Sequence, residues 1–279
     1  MNMQTKASFK KEILAYIRTK KFLIISLVII GLALLSPLFI AGMGALMDAM
    51  SDIYDELGMD VSTMTGMLST SASLGVTASV SDMTGTAIIV VLLMLNSAAG
   101  GEQKKRSVII PQSSGLKSFS YIFPKFIIYP VSVFICAVIG MFASWGVSVL
   151  VFDYNDVTFT GVFLAGIISG VCLMLYVCFH LTLGTATGKA GMSSAVCISA
   201  AIILSNIFAL IDVNYMYNPF ALNVLGASAV NTGRFTGAVV TDIAVTLLFA
   251  FALMAISYFI ALFAQNARKI DNTGNEIDL

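Results

Sequence analysis

Charge is scarce in this chain, at 11% of residues against roughly 25% in soluble domains, and histidine is scarcer still, with one in 279 residues. A lone His180 excludes a histidine-pair metal or haem site and the zinc-protease helix motif. The four cysteines, Cys136, Cys172, Cys178 and Cys197, all fall inside apolar runs, where they act as small hydrophobes, so no disulfide is expected. A net charge of zero with no basic surface argues against a nucleic-acid partner. Two near-motifs are incomplete. Gly184-Thr185-Ala186-Thr187-Gly188-Lys189-Ala190 is one residue short of a phosphate loop and lacks its final Ser or Thr, and Gly191-Met192-Ser193-Ser194-Ala195 lacks the second Gly of a serine nucleophile turn.

What is abundant is apolar surface: 58% hydrophobic residues and a mean hydropathy of +0.94. This composition predicts an all-α integral membrane protein, because continuous runs of spanning length satisfy their backbone in hydrocarbon only as helices. Six runs qualify: Phe22 to Met43, Thr84 to Gly100, Phe126 to Val151, Val157 to Leu183, Ala190 to Ile211 and Ala238 to Ala264. The first, roughly 33 Å long as a helix, exceeds the apolar core of a secretory signal and reads as a retained span. No Asp, Glu, Lys or Arg lies near the centre of any run. His180, near the inner end of the fourth, reads as a hydrogen-bonded packing residue, and Asn96 and Asn206 as amides that bond between helices.

The few charges are sorted by side. Of the 15 Lys and Arg, all but Arg234 fall in the segments before the first run and after the second, fourth and sixth. The opposite loops carry Asp48, Asp52, Asp55, Glu56, Asp60, Asp82, Asp153, Asp156 and Asp212. Positive charge is retained on the cytoplasmic face, which predicts a multi-pass protein of the bacterial plasma membrane with both termini inside.

Between the runs, residues 1–21 read as an amphipathic elbow helix on the inner leaflet, with Phe9, Ile13, Tyr16 and Ile17 on one face, Lys11 and Arg18 on the other, and a bend at Lys20 and Lys21. Residues 44–83 form a long outer loop, with an amphipathic first part (Leu46, Met50, Ile53, Tyr54, Leu57) and a second part of Ser, Thr, Gly and Ala. Residues 212–237 form an outer segment whose middle, Phe220 to Ala229, is too short to span and is a candidate re-entrant half-helix. Gly166 and Gly170 make a GxxxG pair that permits close helix approach. Residues 270–279 read as a flexible tail, and 1–279 as a single transmembrane domain.

The inner loop 101–125 mixes charge, an apolar centre and helix punctuation: Glu102, Lys104, Lys105 and Arg106, then Val108, Ile109 and Ile110, then Pro111, with Ser113, Ser114, Gly115 and finally Lys125. It reads either as a basic interfacial segment or as a docking element for a soluble partner. In that order of parts the chain resembles the type-2 ABC transporter permeases, in which a Glu after the second span precedes a short apolar segment, a Pro-Ser turn and a Lys opening the third span. Two departures stand out: Lys104-Lys105-Arg106 replaces the usual Gly, and the Arg expected after the Pro-Ser turn is missing.

The resemblance implies a permease subunit, paired with an identical or paralogous second copy and standing on two separate ABC ATPase subunits. Glu102, Lys104, Lys105, Arg106, Val108, Ile109, Ile110 and Pro111 would form the coupling helix that the motor grips. It further implies that ATP and Mg are bound by the partner, that this chain holds no cofactor, metal or catalytic residue, and that an amphiphile such as a drug, an antimicrobial peptide or a lipid is exported. A membrane interaction or immunity protein that sequesters a peptide without a motor is the second reading, a channel the third. An ion-coupled transporter would keep a charged residue at mid-membrane depth, which the runs lack.

Overall fold

The computed structural model describes residues 3–56, 71–104, 115–152, 156–210, 218–231 and 237–274. Among them there is no strand. Helix α1 (Met3–Arg18) turns at Lys20, whose positive φ of 56° ends it, and leads into α2 (Lys21–Glu56). Then come α3 (Ala72–Gly101), α4 (Ser118–Val151), α5 (Phe159–Thr187), α6 (Ala190–Leu210), α7 (Leu222–Asn231, after a 3-10 turn at Pro219–Ala221) and α8 (Gly237–Gly274).

Five of these, within α2, α3, α4, α5 and α8, are long and apolar enough to cross a membrane. Helix α6 is apolar over Ala190–Leu204, a shorter stretch, so five spans rather than six meet the length criterion among the described residues. The chain is an all-helical, multi-pass membrane protein. Its arrangement follows from burial. In α5, 72% of the most apolar stretch is buried, against 28% in α2 and 22% in α8. Helix α5 is therefore the central post, with α4, α6, α7 and α8 packed on it. Outer faces of α2 and α8 present Leu27, Phe39, Leu248 and Phe263, each more than half exposed. A patch of that size would drive association in water, whereas lipid tails cover it without penalty.

Several element boundaries differ from the hydropathy reading, each for a physical reason. The outer loop expected over 44–83 is largely helix: α2 continues to Glu56 and α3 starts at Ala72, capped by Ser71, whose Oγ accepts from the Leu74 N–H at 3.2 Å. Its hydroxyl-rich first half depresses hydropathy, yet the Ser79 and Thr84 hydroxyls are satisfied inside the bundle. Ser79 Oγ lies within hydrogen-bond range of Gly75 O, Ala33 O and Ser144 Oγ, and Thr84 Oγ1 donates to Val80 O. The third span begins at Ser118, not Phe126, and takes Lys125 inside the helix. Helix α8 runs to Gly274, through part of the expected tail. The Phe220 to Ala229 stretch is a short buried helix lying against α5 and α3, with Leu222, Leu225 and Ala229 inward.

Gly166 and Gly170 do permit close approach, but to α4 of the same chain. A Cβ on Gly166 would stand 3.4 Å from Val138 Cα, and one on Gly170 would stand 2.5 Å from the Phe134 ring. Arg234, Tyr215, Tyr217 and the side chain of Asn206 lie outside the described residues.

Candidate functional site

The basic segments gather at one end of the bundle, around the point where α3 ends. The α3 helix is interrupted by two π turns, Met83–Ala87 and Ser97–Gly101, and helix resumes over Glu102–Lys104. A π turn shifts carbonyls out of the regular ladder and widens the helix locally. Here it makes room at Ala98 O, which accepts a hydrogen bond from Lys125 Nζ at 3.0 Å.

Lys125 is the centre of the site. It is 2% exposed, yet all three ammonium protons are placed: on Glu102 Oε2 at 2.6 Å, on Ala98 O, and on Tyr121 OH at 3.0 Å. Its Nζ also stands 4.4 Å from the Tyr121 ring centroid and 3.9 Å from Glu12 Oε1. Tyr121, Lys125 and Tyr129 recur every four residues and so share one face of α4. The two phenols extend the network. Tyr121 donates to Glu102 Oε2 at 2.8 Å, and Tyr129 donates to Glu12 Oε2 at 2.7 Å.

Two acids and two cations make the cluster neutral. Lys11, more than half exposed, donates to Glu102 Oε1 at 3.2 Å and stands 3.9 Å from Glu12. Burial alone would raise the Glu102 carboxyl, but the Lys125 ammonium, helped by Lys11 and the Tyr121 hydroxyl, outweighs it and holds the group at about 2, below its ordinary 4.5. The carboxylate therefore stays ionised throughout the physiological range. On α1 the buried face is polar: Thr5, Glu12 and Tyr16. Burial pushes the Tyr16 phenol up to about 12, so it stays neutral. Ser132 Oγ gives its proton to Tyr129 O at 2.8 Å, which leaves Tyr16 OH as the donor across their 3.0 Å contact.

The stretch that ends α3 and opens the Glu102–Lys104 helix, residues 96–103, reaches the remaining helices. Ser97 accepts from Lys21 of α2, and Asn96 Oδ1 accepts from Ser194 of α6. Gln103 Nε2 donates to Gln265 Oε1 of α8 at 2.8 Å, and Arg268 of α8 donates both to Gln103 and to Ala186 O, at 2.6 Å, in the last turn of α5. That guanidinium meets the negative end of the α5 dipole and lies over Gly188, whose left-handed φ of 68° ends the helix. Against α5 the backbones touch: a Cβ on Gly184 would stand 2.5 Å from Ala99 Cβ and 2.6 Å from its carbonyl carbon. Residues 96–103 are thus a junction contacting α1, α2, α4, α5, α6 and α8.

Of the residues expected to grip a motor, Glu102 sits in this junction and Lys104 ends its helix, its side chain outside the described residues. Lys105, Arg106, Val108, Ile109, Ile110 and Pro111 lie outside the described residues altogether. Sequence reasoning missed Glu12, Tyr121, Tyr129, Gln103 and Gln265. The signal was present in the four-residue recurrence around Lys125 and in a Glu placed between the apolar positions of α1.

At the acidic end, Ser36 donates to Asp82 Oδ2 at 2.7 Å and the Ser73 N–H donates to Asp156 Oδ1 at 2.9 Å. The π turn Met83–Ala87 borders a cavity of about 230 Å³ lined by Ser81, Thr84, Gly85, Thr86, Ile89, Ala201, Ile202 and Asn223. His180 is fully buried, with Nδ1 2.8 Å from Ser193 Oγ. Ser193 Oγ donates to His180 O at 2.6 Å, so its proton is directed away from the imidazole and the pair is arranged for packing rather than for activating the hydroxyl.

No family model matches the chain, and neither a curated protein nor a solved structure matches it.

Proposed function

We propose that the chain is the membrane-spanning permease subunit of an ATP-driven exporter, in the manner of the type-2 ABC permeases its inner loop resembles. The reading takes α6 as the sixth span, the basic end as cytoplasmic, and the helix Pro219–Val230 as a re-entrant element of the outer side. A second permease copy completes the pathway, and separate ABC ATPase subunits supply ATP hydrolysis.

The observation that carries the reading is the junction at 96–103. A motor that grips residues 104–111 needs a load path into the spans, and a loop that merely connected two helices would need none. Here the root of the loop is bonded to α1, α4 and α8 through Glu102 and Gln103, and to α2 and α6 through Ser97 and Asn96. Closure of the ATPase pair would then move the spans as packed bodies, a two-state element biased by nucleotide. The cavity of hydroxyl and aliphatic side chains beside the first π turn suits an amphiphilic cargo.

Co-purification tests the reading. Protein extracted in detergent after co-expression with the ATPase encoded beside it is expected to retain that ATPase, and Ile109→Asp with Ile110→Asp is expected to release it. Retention after the double change removes the docking assignment. Failure of the unmodified chain to retain any ATPase favours the motor-free peptide-binding protein.

A further inference from the structure

Helix α1 turns outward a face that the sequence pattern did not assign. Lys6, Lys10, Ile13 and Ile17 recur at positions i, i+4, i+7 and i+11, one continuous stripe, and all four are exposed. Tyr16 and Phe9, expected on that face, instead turn to Tyr129 and Phe123 of α4, because Thr5, Glu12 and Tyr16 bond to Ser120, Tyr129 and Ser132. The stripe is basic at its N-terminal end and apolar at the end that joins α2. There it runs on into Leu23 and Leu27, which face outward from the first span. Lys6 and Lys10, one turn apart, have no acidic partner among the described residues. Exposed Lys117 adds to the charge, two residues from Gly115, whose carbonyl takes Gln4 Nε2 at 3.4 Å.

We propose that this stripe docks an anionic phospholipid, its phosphodiester held by Lys6 and Lys10 and its acyl chains lying along Ile13 and Ile17 toward α2. Two cations followed by two aliphatic side chains on one exposed helix face suit a headgroup of net negative charge with its acyl chains, whereas the ammonium of a zwitterionic headgroup offsets its own phosphate. Repulsion between two lysines one helical turn apart is relieved by the phosphate. Lys11 lies on the other flank of α1, where it is bonded to Glu102. The proposal is independent of any ATPase.

Lipid retention tests it. The full chain is purified from mixed micelles holding phosphatidylglycerol and phosphatidylcholine in equal amounts, and bound lipid is counted by native mass spectrometry. The wild type is expected to retain phosphatidylglycerol preferentially, and Lys6→Gln with Lys10→Gln to reduce that preference by about fivefold per lysine, ~25-fold together. Both side chains are exposed, so the variant is expected to keep its melting temperature in detergent. Equal retention of the two lipids by the wild type overturns the proposal, as does an undiminished preference in the variant. Displacement of the lipid by excess inorganic phosphate would reassign the stripe to a free anion and equally overturn it.

Discussion

The two ends of the bundle are held by different chemistry. At the basic end Lys125 is buried among two carboxylates, two phenols and a carbonyl. At the acidic end the bonds are made by serines and threonines to backbone carbonyls, to one another and to single aspartates. Ion pairs in low dielectric fail abruptly, since removing one member leaves the other charged and buried. A hydroxyl network fails gradually, one bond at a time. The basic end is therefore suited to holding several helices in one arrangement, and the acidic end, beside the cavity, to repacking at small cost.

Lys125→Met is the harshest test of that contrast. It leaves Glu12 and Glu102 without the buried cation between them, only the exposed Lys11 remaining, and a loss of about 3–5 kcal/mol of stability is expected, read as a drop in melting temperature in detergent. Glu102→Gln removes one charge-assisted bond to Lys125 and one to Lys11, at about 1.5–3 kcal/mol. Because the Glu102 carboxyl is held near 2, its contribution is complete above pH 4.5 and is lost as pH falls through 2. The wild type should thus show an acid limb across that window which the glutamine variant lacks.

Gly184→Val separates packing from charge at the same end. The added side chain collides with Ala99 backbone, and a loss of about 1–3 kcal/mol is expected. At the other end, Ser79→Ala should cost only about 1 kcal/mol. A loss there as large as that of Lys125→Met would erase the distinction between the two ends.

Hydropathy located the five helices long enough to span, because twenty apolar residues in lipid have few alternatives to a helix. It placed the start of α3 twelve residues late, because the Ser, Thr and Gly residues up to Ser81 read as loop until Ser79 is seen bonded to Ala33 O and Ser144. It placed the start of α4 late for a related reason. A lysine looks like the edge of a membrane helix, but Lys125 meets its counter-ions inside the bundle. Glu102 could be singled out from its place in the loop, whereas its partners come from α1 and α4, distant in the chain. The outward face of α1 was misassigned because apolar periodicity assumes that polar residues face water. On this helix the protein side is the polar one, with Glu12 and Tyr16 buried.

The Glu102–Lys125 pair links the loop's root to α4. A double-mutant cycle of Glu102→Gln and Lys125→Met, followed by melting in detergent, measures that link directly. The pair is expected to show a coupling of at least about 1 kcal/mol, with the double variant less destabilised than the sum of the single ones. Losses that add to within about 0.5 kcal/mol would show two independent side chains, and the junction would not be the tie described.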